Sequence, residues 1–259
     1  MSTDTGVVRL ELRDAIATIT LDRPSARNAL TWAMYEELDK ALDSVSSEPE
    51  VRVVVLRGAG GNFAAGTDIS QFAAFASGDD GVDYERRLEG VLGKLESLPA
   101  TSVAAVEGYA AGFGLALAAA CDLRVASPNA QFGVPIARTI GNCLSMSNYA
   151  RLVASLGAAR TKAMLLTAEF MSTDEARSLG FVIRVLEPHA FARELEMLCT
   201  RLASHAPLTL QVTREAVRRI VNRSAAEGDD LLRRVYGSRD FREGVAAFVE
   251  KRKPQWEGR

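Results

Sequence analysis

An α/β fold built on a parallel sheet is the architecture this sequence predicts, and three observations carry the prediction. Residues 51–58, VRVVVLRG, are apolar at successive positions rather than alternate ones, as in a strand covered on both faces. Two further strand-like runs, TSVAAVEG and DLRVAS, enclose a helical stretch of small residues. The resulting order of strand, helix, strand, helix, strand implies parallel neighbours joined by right-handed crossovers.

The elements follow along the chain. VVRLEL and AIATITL flank Arg13-Asp14 and alternate apolar with polar residues, which predicts a hairpin. After the turn DRPSARNAL, Thr31 is placed to cap a helix whose apolar positions Met34, Leu38, Ala41, Leu42 and Val45 recur at helical spacing. The loop GAGGNFAAGTD leads into a weakly patterned stretch, 69–83, in which ASGDDG reads as mobile. A helix over 83–98 turns Leu88, Val91, Leu92, Leu95 and Leu98 inward and is stopped by Pro99. Residues 108–122, GYAAGFGLALAAACD, read as a tight turn opening a helix without an acid or base until Asp122. From Ile140 the pattern is mostly helical. MSTDEARSLG offers a capping box, Ser172 with Glu175, closed by Gly180, and FVIRVL is a last strand. Pro188 to Lys253 reads as amphipathic helices broken near Pro207, Ser224 and Gly237, a separate helical unit. The expected division is a core at 1–195 and a helical region at 196–259.

Composition narrows the function. A chain of 259 residues, 47% hydrophobic, can bury a substantial core. With 25% charged residues and a net charge of -2, no basic field draws it to nucleic acid or membrane. Cys121, Cys143 and Cys199 are too scattered for a disulfide framework, and His189 and His205 complete no zinc spacing, so no metal site is expected. The stretch MSTDTGVVRL lacks the pattern of a signal peptide, and the apolar run from Tyr109 to Cys121 is too short and glycine-rich to span a bilayer. The expectation is a soluble, cytoplasmic protein whose partners are small molecules or its own copies.

Two segments share one form, a strand followed by a glycine-containing turn that opens a helix: VVVLRGAGGNFAAGTDI and VAAVEGYAAGFGLAL. Free backbone N–H groups at such a turn, with the positive end of the helix dipole, favour negative charge. Two such turns facing one another could clamp a single oxygen; close strand-to-helix packing explains the glycines equally well. GAGGNFAAG lacks the Gly-Lys-Ser/Thr of a P-loop and GYAAGFG lacks the dinucleotide spacing, so nucleotide hydrolysis and hydride transfer drop away.

NFAAGTDI, EGYAAGFGLALAAACDLRVAS, AQFGVPI and FREGVAAFVEKRKPQW resemble, in this order, motifs of the crotonase, or enoyl-CoA hydratase/isomerase, superfamily from about Val8 to Trp256. The resemblance implies a repeated strand-strand-helix superhelix of the ClpP/crotonase type with a C-terminal helical trimerisation region. It implies an acyl-CoA thioester substrate, coenzyme A entering as part of that substrate with no separate cofactor, and a homotrimer or homohexamer. Two backbone N–H groups would hold the thioester oxygen as an enolate forms. Matched residue by residue, they fall on Ala65 and Phe113, the thioester-binding stretch on Ala65, Gly66, Thr67 and Asp68, and contacts to a neighbouring subunit's CoA on Phe248 and Lys251.

The resemblance also locates a departure. The two glutamates with which hydratases of this family handle water and its protons fall on Ala116 and Ile136. General acid–base groups are worth about 10²–10⁴-fold in rate, so ordinary hydration loses its proton handling here. Residues 137–148 contain no Asp or Glu to replace them. Glu107, Asp122, Asp68, Cys143 and Arg138 each have a structural reading beside a chemical one, and Asp79, Asp80, Asp83 and Glu85 are available as a base from the 69–85 region. Decarboxylation of a malonyl-type thioester, which needs no protein base to make the enolate, isomerisation, and a non-catalytic acyl-CoA-binding subunit all stay open.

Overall fold

Seven residues of alternating burial in β2 (Ile16–Asp22) set the first layer: Ala17, Ile19 and Leu21 point into the core while the residues between them face the other side of the sheet, and the whole strand pairs with its antiparallel partner β1 (Val7–Arg13). The computed structural model describes residues 4–222, 233 and 235–255. From β2 the sheet continues in parallel through β3 (Val53–Gly58), β4 (Thr101–Val106), β6 (Leu123–Ala126) and β9 (Arg184–Val185). A second, smaller sheet is ordered β5 (Tyr109–Ala111), β7 (Gln131–Gly133), β8 (Met171–Ser172). Both sheets step from β4 to β5 and from β6 to β7, the strand-strand-helix alternation of the expected superhelix.

The apolar run in β3 is divided between two cores. Val54 and Leu56 join α1 (Trp32–Ser46), α2 (Gly78–Ser97) and α3 (Phe113–Ala120) on one face; Val53 and Val55 meet Phe191, Leu195, Leu198, Cys199 and Leu202 of α6 (Phe191–Ala203) on the other. A boundary at 195/196 therefore cuts through one unbroken helix whose apolar stripe covers the sheet, and α6 belongs to the core.

Local signals fix the helix ends. Thr31 caps α1, its hydroxyl accepting from the Met34 N–H, and Ser172 caps α5 (Thr173–Ser178) in the same way through Glu175. The segment read as mobile is instead the start of α2. Ser77 accepts from the Asp79 N–H at 3.2 Å, and the Asp80 carboxylate accepts from the Ala76 and Ser77 N–H groups at 2.8 and 2.7 Å. Helix α4 (Met146–Thr167) is broken at Gly157, where φ is 76°. Pro207 opens α7 (Pro207–Asn222), and Ser238 caps α8 (Arg239–Val249) after Gly237. The break expected near Ser224 lies outside the described residues. Helix α8 folds back onto the chain's own 3-10 turn, Ile69–Ala74, placing Phe241 against Phe72 and Phe75. Among the described residues no helix is long and apolar enough to cross a membrane.

Candidate active site

The two glycine turns meet. Asn28, fully buried, donates from Nδ2 to the carbonyls of Ala59 and Asn62 at 2.8 and 2.7 Å and so pins the first turn. Ala64 then bonds across to the second turn, its N–H donating to Tyr109 and its carbonyl accepting from Ala111, both at 2.9 Å. Gly66 adopts φ +104°, and a Cβ there would lie 3.2 Å from the Ala111 carbonyl oxygen and 3.7 Å from the Phe113 nitrogen. Gly112, at φ 52° and ψ -119°, is in a conformation closed to other residues and ends the turn as α3 begins.

Backbone bonding decides which donors are available. The Ala65 N–H donates to the Arg27 carbonyl at 2.9 Å, so the donor expected there is already committed. Leu30 brackets the following residues: its N–H donates to Gly66 O and its carbonyl accepts from Asp68 N, each at 2.8 Å. Between them, the Thr67 N–H has no acceptor among the described residues, and neither does the N–H of Phe113, first residue of α3. The first turn thus presents Thr67, two residues beyond Ala65. The Thr67 hydroxyl lies 2.6 Å from the Tyr35 hydroxyl and 2.7 Å from that of Tyr84, while the Phe113 ring packs at 4.9 Å on Tyr35.

Ala65, Gly66, Thr67 and Phe113 line one cavity with Ala116 and Ile136, the two positions onto which the sequence resemblance carries the family's glutamates. Asp68 caps the 3-10 turn through Ser70 and pairs with Arg23 at 2.8 Å. Burial pushes its carboxyl up, but Ser70 and the Arg23 guanidinium outweigh that and hold it below the ordinary value. Phe248 and Lys251 are exposed and do not line the cavity.

One carboxylate does enter. Glu85 of α2 is 2% exposed and lines the cavity with Asn142 and Asn148. Its Oε1 accepts from the Tyr236 hydroxyl at 2.9 Å and its Oε2 from the Ser145 N–H at 3.0 Å; Asn142 Nδ2 donates to the same tyrosine oxygen at 3.0 Å. Burial raises the Glu85 pKa to about 7, against the pull of the Tyr236 and Ser145 hydrogen bonds, and the nearby Glu89 charge adds to the rise. Sequence reasoning placed Glu85 only among four candidates and missed Tyr236 and Asn142. The available signal was its phase: Glu85 sits three residues before Leu88, on the apolar stripe of α2.

The other candidates have structural work. Asp122 accepts from the N–H and hydroxyl of Ser102 and pairs with Arg214 at 2.6 Å. Asp79 pairs with Arg233 and Asp83 with Arg86 on the surface. Burial pushes the Cys143 thiol up to about 12, so it supplies no thiolate near neutral pH. Arg138 is exposed, Glu107 half-buried at its strand end, and in the arginine-rich α7 Arg218 and Arg219 both pair with Glu215.

The family model for enoyl-CoA hydratase/isomerase matches residues 11–259. A short-chain-enoyl-CoA hydratase of Clostridium acetobutylicum is 31% identical over 256 residues, 95% of each chain, and a probable enoyl-CoA hydratase of Rhizobium meliloti is 35% identical over 258 residues, covering 96% of this chain and 97% of that one. Among solved structures, an enoyl-CoA hydratase/carnithine racemase from Magnetospirillum magneticum superimposes with a TM-score of 0.80 at 32% identity, covering 100% of this chain and 97% of that one. A methylmalonyl-CoA decarboxylase in complex with 2-nitronate-propionyl-CoA reaches 0.88 at 24% identity, covering 97% and 98%, which is a likeness of fold.

Proposed function

The chain belongs to the enoyl-CoA hydratase/isomerase family, and from that membership we propose that it transforms an acyl-CoA thioester through an enolate, without the paired glutamates that add water. The carbonyl oxygen of the thioester accepts from the Thr67 and Phe113 N–H groups, and coenzyme A enters as part of the substrate. Charge that develops on that oxygen is met by two fixed dipoles and the start of α3, in a site lined by Ile69, Phe72 and Leu88. Donors arranged in this way act most strongly on the enolate, where the negative charge is greatest. The single observation that carries the reading is the approach of Gly66 to the Phe113 nitrogen, which sets two unspent N–H groups on one cavity.

Ala116 and Ile136 offer neither a base to activate water nor an acid to protonate carbon. The expected reactions are those that pass through the enolate alone. A panel of CoA thioesters, saturated, unsaturated and malonyl-type, incubated with the enzyme and followed by mass spectrometry, tests this. Conversion without gain of water is expected. Hydration of crotonyl-CoA at ordinary hydratase turnover refutes the exclusion of water, and failure to bind every thioester refutes the acyl-CoA reading. The assembly expected with this function is a homotrimer or a pair of trimers, supported by the apolar residues that α7 leaves exposed.

A further inference from the structure

The geometry points to Glu85 as the group that transfers protons in this cavity: its carboxylate takes a proton from the carbon next to the thioester carbonyl and gives one back to the enolate. This rests on the acyl-CoA reading above and adds the missing acid–base partner. In the forward step the C–H bond breaks, the proton moves to a Glu85 oxygen, and the bonding electron pair passes through the carbonyl to the oxygen held by Thr67 and Phe113. In the second step Glu85 gives a proton back to carbon, the abstracted one or one exchanged with solvent while it sat on the carboxylate, at the original position or at the far end of a conjugated enolate. One carboxylate suffices for such a shuttle, whereas addition of water by the family's usual route uses two. The substrate class is therefore an acyl-CoA whose double bond or α-configuration is moved.

Three observations support the assignment. Glu85 is the carboxylate that lines the cavity shared by Thr67, Phe113, Ala116 and Ile136. Its bonding is that of a held but titratable group. Because Asn142 Nδ2 donates to Tyr236, the tyrosine proton is directed at Glu85 Oε1, and Ser145 N–H fixes Oε2. Finally, Asn142 Oδ1 is buried on the same cavity wall without a partner among the described residues, an acceptor with capacity for a bound molecule. A purely structural carboxylate would be expected to find a cation. The guanidinium of Arg151, linked to Glu85 through Asn148, instead bonds Glu89, Glu96 and that asparagine.

The ionisable groups around Glu85 are Tyr84 beside it on α2, Tyr35 from α1, Tyr236 from the C-terminal segment, Cys143 and Tyr149 near the start of α4, and Glu89 one turn along α2. Burial raises both tyrosines on either side and the Cys143 thiol well above neutrality, so they stay protonated where Glu85 titrates. Glu85 is left to titrate near neutrality, about pH 7.

Exchange of the α-hydrogens of butyryl-CoA for deuterium in D₂O, read by mass spectrometry, tests the proposal without assuming a natural substrate. The wild-type protein is expected to bind butyryl-CoA and exchange its α-hydrogens, at a rate that rises with pH through a limb near neutrality. Glu85→Gln is expected to bind with affinity unchanged within about threefold and to lose about 10²-fold or more in exchange rate. Tyr236→Phe removes a hydrogen bond that favours the carboxylate, so it is expected to move the limb to higher pH. A wild-type protein that binds no butyryl-CoA overturns the acyl-CoA reading itself. Binding without exchange, exchange that survives Glu85→Gln, or a limb that Tyr236→Phe leaves in place overturns the role of Glu85 alone. If Glu85→Gln does not fold, the limb measured in Tyr236→Phe decides.

Discussion

Gly66 and Thr67 separate two explanations of the first turn that residue types alone cannot distinguish. The motif NFAAGTD suggests a donor beside the glycine, but its register depends on which N–H groups the backbone has already spent. The bond from Ala65 to the Arg27 carbonyl takes up that N–H and leaves the one on Thr67 without an acceptor among the described residues, and no side chain announces it. Two substitutions follow. Gly66→Ala forces a side chain into φ +104°, with its Cβ 3.2 Å from the Ala111 oxygen, and so shifts the peptide that carries the Thr67 N–H. Loss of one donor of this kind is worth roughly 2.7–4 kcal/mol in the transition state, so turnover should fall by about 10²-fold or more, measured as kcat on whichever thioester the wild type converts. Thr67→Ala keeps the N–H and removes only the hydroxyl between Tyr35 and Tyr84. Its turnover should fall by less than about tenfold, while urea unfolding should show a loss of about 1–3 kcal/mol from two buried tyrosines left without that partner. The opposite ranking of the two variants in kcat would place the chemistry on the side chain rather than the main chain.

Helix α2 shows what periodicity reveals and what it hides. The spacing of Leu88, Val91, Leu92 and Leu95 was legible, and the helix it predicted is present. Its first turn was not, because Ser77, Gly78, Asp79 and Asp80 have the composition of a loop while their hydrogen bonds form a cap. Strands β5, β7 and β8 were also hidden; two or three residues are too few to display a period of two. The same helix makes a pH prediction. Folding raises the Glu85 pKa from its ordinary 4.5 to about 7, so the unfolded chain releases this proton at lower pH than the folded one. Glu85's contribution is therefore full below about pH 4.5 and is lost as pH climbs through about 7, a change on the order of 3 kcal/mol. Glu85→Gln has no such proton, and its denaturation midpoint relative to wild type should rise across that interval. A difference between the two proteins that stays flat from pH 4.5 to 7 would mean that Glu85 is ionised throughout. At the start of the helix, Ser77→Ala should lower stability by about 1 kcal/mol at any pH in the range, since the cap is lost and the core is not.

The molecule as a whole divides differently from the pattern of its sequence, because strand-poor composition beyond Pro188 does not make a separate body. Helix α6 seals the outer face of the sheet and α8 closes over the chain's own 3-10 turn, whereas α7 packs on α4 along one side and leaves its other side exposed. Its inner side is anchored by Arg214, bonded to the Leu98 carbonyl at 2.7 Å and paired with Asp122. Outward it presents Leu208, 73% exposed, with Val212, Val217 and Ile220. These positions span about half the helix circumference at 100° per residue, a broad apolar surface for a monomer to leave in water. Phe248 and Lys251 are exposed at the end of α8, outside the chain's own cavity, and in the proposed assembly they are the positions expected to meet a neighbouring copy's CoA. Light scattering should therefore give a mass three or six times 27.9 kDa. The double substitution Leu208→Asp and Val212→Asp places charge on the exposed side of α7 without touching Arg214, and should yield a folded monomer. Lys251→Ala should leave the assembly intact and weaken CoA-thioester binding by severalfold, most visibly at low salt, where an ammonium–phosphate contact is least screened. A wild-type protein that runs as a monomer at micromolar concentration would show that α7 stays solvated and that each cavity works within its own chain.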